Sequence, residues 1–353
     1  MMDLSVDWPR AHGAVLGRAK IKSEIDDFIV DEQLGFTADG EGEHLLLQVE
    51  KVAMTTLDLL AALAQRCQVA PQDIGYAGMK DRWGRTRQWI SLHLPGRDAP
   101  DDLDGETWRV LQRHRHGRKL PRGCHRANRF QIRLRACDIE ETALRERLDR
   151  IARDGVPNYF GEQRFGWQRN NLVAAQAALG RWQRQTSRRL SRREAMLLSA
   201  LRSAWFNSVL AARVADASWD RCLAGDVLML DGRQSFFRPK EIDAEILRRL
   251  SELDVHPTGP LPGRGKVVVD EDVLALESAC LADDSAAIAV VARLVEHDRR
   301  ALRMRVRDLH LQRLDEDWCL HFELGRGSYA TTVLREIATV IEDRHDADEG
   351  GES

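Results

Sequence analysis

The chain has 353 residues, 43% hydrophobic and 31% charged, with a formal net charge of −3. That is the composition of a soluble globular protein with room for one or two cores, and its charge gives no global signal for nucleic acid. The six cysteines are scattered without a CxxC pair, which excludes a disulfide frame or zinc ribbon and fits reduced thiols in the cytoplasm. No basic-then-apolar leader and no segment of membrane-spanning length is read from the sequence.

Strands are expected at 18–22, 28–32 and 44–50, the last two joined by a glycine-rich acidic link. Thr55 or Thr56 caps a helix to about residue 69, with Leu57, Leu60, Ala61 and Ala64 on one face. A short strand at 74–79 carries two glycines where backbones pass closely, and 87–94 alternates as a half-buried strand does. Further strands are expected near 108–111 and at 128–135, where Phe130, Ile132 and Leu134 alternate with polar residues, chiefly arginine. Asp138 is the expected cap of a helix at 140–154, with Leu144, Leu148 and Ile151 inward and Gly155 as its stop. The middle reads as helical and arginine-rich over 171–214, then a strand at 227–230 and helices at 241–253 and 287–295. Strands at 303–312 and 318–324 and a helix at 331–341 precede an acidic tail. Strand-rich ends around a helix-rich middle predict an α+β fold, one sheet-based domain split by a helical insertion.

The average charge hides segregation. No acid occurs from Trp108 to Cys137, where ten lysines and arginines crowd together, and 181–193 holds six arginines without an acid. Such runs read as phosphate-binding faces, with Trp108, Phe130, Trp167 and Trp182 as possible platforms for an unpaired base. His114, His116, Cys124 and His125 are metal ligands by type. A dication there would sit among arginines with no carboxylate, so no metal is expected. No phosphate-cradling loop, dinucleotide fingerprint or HExxH occurs, which points to a cofactor-independent reaction.

Between the strands at 74–79 and 87–94 lies Lys80-Asp-Arg82, followed by Gly84. Asp and Gly are ordinary turn residues. An aspartate between two cations at a strand end is also what a catalytic carboxylate requires, since positive charge keeps it ionised. Asp81 is therefore the catalytic candidate. Asn128 is either a turn residue or, with Phe130 on the same face, a hydrogen-bonding group for a pyrimidine edge. Phe28 alone is an ordinary core aromatic.

Four stretches together resemble one family. Ile21-Lys-Ser-Glu-Ile-Asp-Asp-Phe-Ile-Val-Asp-Glu32, Gly75-Tyr-Ala-Gly-Met-Lys-Asp-Arg82, Asn158-Tyr-Phe-Gly-Glu-Gln-Arg-Phe-Gly166 and Gly327-Ser-Tyr-Ala-Thr-Thr-Val-Leu-Arg-Glu336 resemble the signatures of TruD-type tRNA pseudouridine synthases. The resemblance implies a catalytic domain with a mixed, largely antiparallel sheet made from 1–157 and 305–342, an insertion domain over 158–304, and a separate tail at 343–353. It implies a cytoplasmic monomer that isomerises uridine 13 of tRNA without cofactor or metal. The family nucleophile falls on Asp81, its active-site lysine on Lys22, and its uridine contacts on Phe28, Asn128 and Tyr329, where the family usually has phenylalanine. A non-catalytic RNA-binding protein and a metal-dependent nuclease using Asp81 with the histidines are the alternatives.

Overall fold

Alternating segments become strands, and most of them join one sheet. The computed structural model describes residues 8–184 and 189–342, so the expected tail lies outside the described residues. The chain divides into a sheet unit (Val15–Leu148, Val306–Gly327, Ile337–Ser353) and a helical unit (Met1–Ala14, Asp149–Arg305, Ser328–Glu336). In chain order the sheet unit opens with β1 (Arg18–Ile21), β2 (Phe28–Leu34), β3 (His44–Val52) and α1 (Thr56–Cys67). β4 (Ile74–Tyr76), β5 (Arg85–His93), β6 (Trp108–His116), β7 (His125–Leu134) and α2 (Glu141–Asp154) follow. The helical unit holds β8 (Val156–Pro157), α3 (Asn170–Arg184), α4 (Arg192–Ala215), β9 (Leu228–Leu230), β10 (Phe236–Phe237), α5 (Ala244–Ser251) and β11 (Val255–Leu261). It continues with α6 (Glu271–Leu281), α7 (Ser285–Val291), β12 (Asp298–Ala301) and β13 (Arg303–Met304). The last elements are β14 (Arg307–Leu314), β15 (Asp317–Gly325), α8 (Ala330–Leu334) and β16 (Thr339–Glu342).

The eight-stranded sheet runs β14-β15-β7-β2-β5-β3-β6, with β4 also paired to β5. β2 pairs with β5 in parallel, and the other pairings are antiparallel. The architecture is mixed α+β and rich in antiparallel sheet. Leu45, Leu47 and Val49 of β3 and Ile90 and Leu92 of β5 pack against Leu59, Leu63 and Cys67 of α1. The expected inward face of α1 is therefore corrected: Leu57 is 48% exposed, and the buried stripe lies two positions on. α1 is apolar on two sides, and periodicity alone could not choose between them. The Thr55 side chain caps it by accepting from Asp58 N–H.

Two further expectations change. Glu140, not Asp138, caps α2, accepting from the N–H groups of Thr142 and Ala143; the Asp138 carboxylate instead accepts from Arg18 N–H. The expected helix at 331–341 stops at Leu334, and Thr339–Glu342 pairs in parallel with β1. The β-branched run Thr-Val-Ile favours that strand.

In the helical unit, α4 begins with a capping box between Ser191 and Glu194. Its 24 residues are long and apolar enough to cross a membrane, contrary to the sequence reading. Its apolar side chains are instead spent inside the unit, where Leu201, Trp205 and Val209 are at most 2% exposed. Asn207 of α4 fastens the 158–166 motif: its Oδ1 accepts from Phe160 N–H and its Nδ2 donates to Phe160 O. α6 and β11 were not expected. β11 carries Pro257, Gly259 and Pro260, residues that read as loop punctuation.

Candidate active site

One edge of β5 serves two partners, and the site lies where they part. Arg85–Arg87 pairs with β2, whereas Ile90–Leu92 pairs with β4. The Trp89 N–H at the split is taken by a side chain instead of a strand, donating to Glu32 Oε1 at 3.0 Å. The Lys80 ammonium meets Glu32 Oε2 at 2.5 Å and donates to Asn128 Oδ1 at 2.9 Å. Both charged side chains of this pair are nearly inaccessible. The chain crosses the split as the 77–84 connection from β4 to β5, with Asp81 at its centre.

That connection is clasped at both ends. Lys80 N–H donates to the Thr56 hydroxyl at 2.9 Å, which itself donates to Gln88 Oε1 at 3.0 Å. At the other end Gly84 adopts φ +148°, and a Cβ there would come within 2.5 Å of Phe28 O. Only glycine fits so close a backbone approach. Between them Lys51, with no solvent exposure, donates to Asp81 O at 2.6 Å and to Met54 O at 2.5 Å. Burial, opposed in part by Asp81, pushes the Lys51 ammonium down from 10.5 to about 8.

Phe28 packs edge-on to Phe130, which stacks on Phe322 of β15. Phe28 and Phe130 are both buried, at 3% and 9% exposure. The Lys22 ammonium lies 4.6 Å from the Phe28 ring centre and pairs with Glu342 at 3.4 Å. Lys22 itself is held at φ +58°. Asp81, Asn128, Phe28, Phe130 and Lys22 thus belong to one unit, four of them within the contacts just described and Asp81 between its anchors. Tyr329 belongs to the helical unit, where it packs on a cluster containing Tyr159, Phe160 and Leu302. Its main-chain carbonyl accepts from Thr332 N–H at the start of α8.

Sequence reading missed Lys51 and Glu32, and it took Lys80 as a cation serving Asp81, whereas its ammonium pairs with Glu32. Lys51 was overlooked as the end of a strand, although the inward series Leu45, Leu47, Val49 predicts an apolar residue at that position. Glu32 and Lys80 lay inside quoted motifs, but nothing in their spacing pairs them.

The basic face needs correction. Arginines at 129–135 that looked unbalanced are neutralised by acids from other segments: Arg129 by Glu323 and Arg133 by Asp317, both of β15, and Arg135 by Asp27, just before β2. Arg115 pairs with Asp98, and the Arg122 guanidinium lies over the Tyr76 ring. Local sequence shows no acids because they arrive from distant segments, two of them through the pairing of β15 with β7. Trp182 is fully buried and Trp108 packs on the α1 core, so neither is a stacking platform. Arg181 pairs with Glu194; Arg188 and the Trp167 side chain lie outside the described residues. His116 pairs with Asp39, and among the described residues no three His, Cys, Asp or Glu side chains gather as metal ligands.

Residues 16–185 and 183–337 match the family model described as tRNA pseudouridine synthase D (TruD). The chain is 42% identical over 338 residues to the tRNA pseudouridine synthase D of Chromohalobacter salexigens, covering 94% of this chain and 95% of that protein. It is 43% identical over 343 residues to the protein of the same name from Pseudomonas aeruginosa, covering 96% of each. A crystal structure of a Methanosarcina mazei protein described as a TruD shares the fold, with a TM-score of 0.71 at 22% identity over 92% of this chain and 94% of that one.

Proposed function

The chain belongs to the tRNA pseudouridine synthase D family, and we propose that it converts uridine 13 of tRNA to pseudouridine with Asp81 as the catalytic carboxylate. The reaction breaks the bond from ribose C1′ to uracil N1 and forms one from C1′ to C5. The C5 hydrogen leaves as a proton and N1 gains one, so substrate and product are isomers. No redox partner or energy donor is consumed. Asp81 either attacks the nucleotide covalently or removes a sugar proton; both routes need it ionised.

A uridine in folded tRNA must leave its stack to reach a side chain, and aromatic walls and edge hydrogen bonds offset the unstacking. Phe28, Phe130 and Tyr329 are the aromatic groups proposed for this, with Asn128 orienting the base and Lys22 adding positive charge. The observation that carries the reading is the clasp on the 77–84 connection. One end rests on Asn128 through Lys80 and the other on Phe28 through Gly84. A plain turn needs neither anchor.

We also propose that 1–157 and 305–342 act as the catalytic domain and 158–304 as the insertion domain. The arginines at 181–193 grip the tRNA body. The protein acts as a cytoplasmic monomer.

The test uses unmodified tRNA carrying tritium at uridine C5, in EDTA and without added cofactor. Wild type is expected to release tritium and Asp81→Asn to release none, with tRNA affinity kept. Release by Asp81→Asn at the wild-type rate sinks the assignment. Binding without release by wild type favours an RNA-binding protein, and cleavage that EDTA prevents favours a nuclease.

A further inference from the structure

Lys51 stands where the β3 pattern calls for an apolar side chain. Leu45, Leu47 and Val49 precede it at the two-residue period, each buried, and α1 packs over them. Burying an ammonium is costly unless strong partners compensate. The two hydrogen bonds of Lys51 go to carbonyl oxygens, Met54 O and Asp81 O. Met54 immediately precedes the cap of α1, so the cation also sits at the positive end of a helix. Opposite it on β5, the Thr86 hydroxyl is buried without a hydrogen-bond partner among the described residues. A lysine serving stability alone is better placed almost anywhere else. Groups held in costly electrostatic surroundings cluster at functional sites.

We propose that Lys51 is a positioning residue for the isomerisation: its ammonium anchors the Asp81 main chain and supplies the positive field in which the Asp81 carboxylate works. This rests on the reading of Asp81 as the catalytic group. The charged groups facing Lys51 are Asp81 and Lys80 from the β4–β5 connection and Asp58 from α1, and Asp81 exerts the strongest of these influences. Lys80 is already paired with Glu32. β5 and β6 set Thr86 and Trp108 opposite Lys51, and neither titrates at working pH. A neutral amine keeps donors for both carbonyls but loses the field. Activity should therefore fall as Lys51 gives up its proton, near pH 8.

The test is steady-state tritium release between roughly pH 6.5 and 9.5 by wild type, Lys51→Gln and Lys51→Arg, with melting curves for each. Wild-type kcat should decline above about pH 8. Lys51→Gln should lose on the order of tenfold to a hundredfold in kcat with KM nearly unchanged, and its profile should lack the alkaline decline. Lys51→Arg should keep its charge and carry the decline beyond the range measured. A Lys51→Gln enzyme with wild-type kcat, or one that retains the alkaline decline, overturns the proposal. If Lys51→Gln does not fold, the wild-type and Lys51→Arg profiles decide, and a flat wild-type profile overturns it. A wild type that releases no tritium removes the Asp81 reading and this inference together. An active wild type with an indifferent Lys51→Gln removes this inference alone.

Discussion

Each unit buries a cation, Arg299 in one and Lys51 in the other, and the two are held differently. In the helical unit Arg299 is 3% exposed and reaches both oxygens of Glu277, while its remaining hydrogen bonds go to Thr258 Oγ1 and Thr258 O. Cation, anion and donors are matched. In the sheet unit Lys51 is held by carbonyls, and both Thr86 Oγ1 and Gln88 Nε2 are buried without a hydrogen-bond partner among the described residues. A fully matched pair fixes structure; an incompletely matched group stores electrostatic free energy that a substrate can use. Both cations are buried, so the difference lies in what satisfies the charge.

The largest effect expected outside the chemistry itself comes from breaking the matched pair. Arg299→Met leaves Glu277 buried without its cation and should cost about 3–5 kcal/mol of stability. Protein that remains folded should release tritium at the wild-type kcat. A large loss of kcat without loss of stability would erase the distinction between the two charges. A smaller effect is expected from Thr56→Val, which keeps the shape of a fully buried side chain but removes the hydroxyl that holds Lys80 N–H and Gln88. The unpaired groups should cost roughly 1–3 kcal/mol. Because they anchor the Asp81 connection, kcat should fall about tenfold with KM little changed. Stability lost with kcat intact would mean that the connection is positioned by its other anchors.

Much of this was legible in the sequence, for identifiable reasons. β7 alternates strictly from Asn128 to Leu134, and that pattern survives any tertiary context. α4 lies within the stretch read as helical over 171–214. Asp81 stood out by charge against its own neighbours. What was not legible depends on pairing across the chain. Glu32 and Lys80 are 48 positions apart in number yet form one ion pair because β2 and β4 share an edge of β5. The acids facing Arg129, Arg133 and Arg135 are Glu323, Asp317 and Asp27, none of them visible in a window around 129–135. β16 hid behind a helix-like pattern because its partner, β1, is at the opposite end of the chain.

The smallest effect sharpens the comparison most, because it reads the unmatched charge directly. Lys51 loses its proton at about 8 in the folded protein, against its ordinary 10.5. Below that window folded and unfolded chains both carry the proton, and the burial cost is felt in full. Within it the unfolded chain binds more protons than the folded one, so the stability contributed at this residue rises with pH. The melting temperature of wild type relative to Lys51→Gln should therefore increase from pH 7 to pH 9.5, by roughly 2 °C for a chain of this size. The Arg299–Glu277 pair should give no such trend, since arginine keeps its charge throughout. A difference independent of pH would show that Lys51 is not burdened by its burial. The expected rise, set beside a kcat that falls over the same window, makes stability and activity move in opposite directions through one ammonium group. That opposition is what a charge retained for catalysis, at the expense of the fold, must produce.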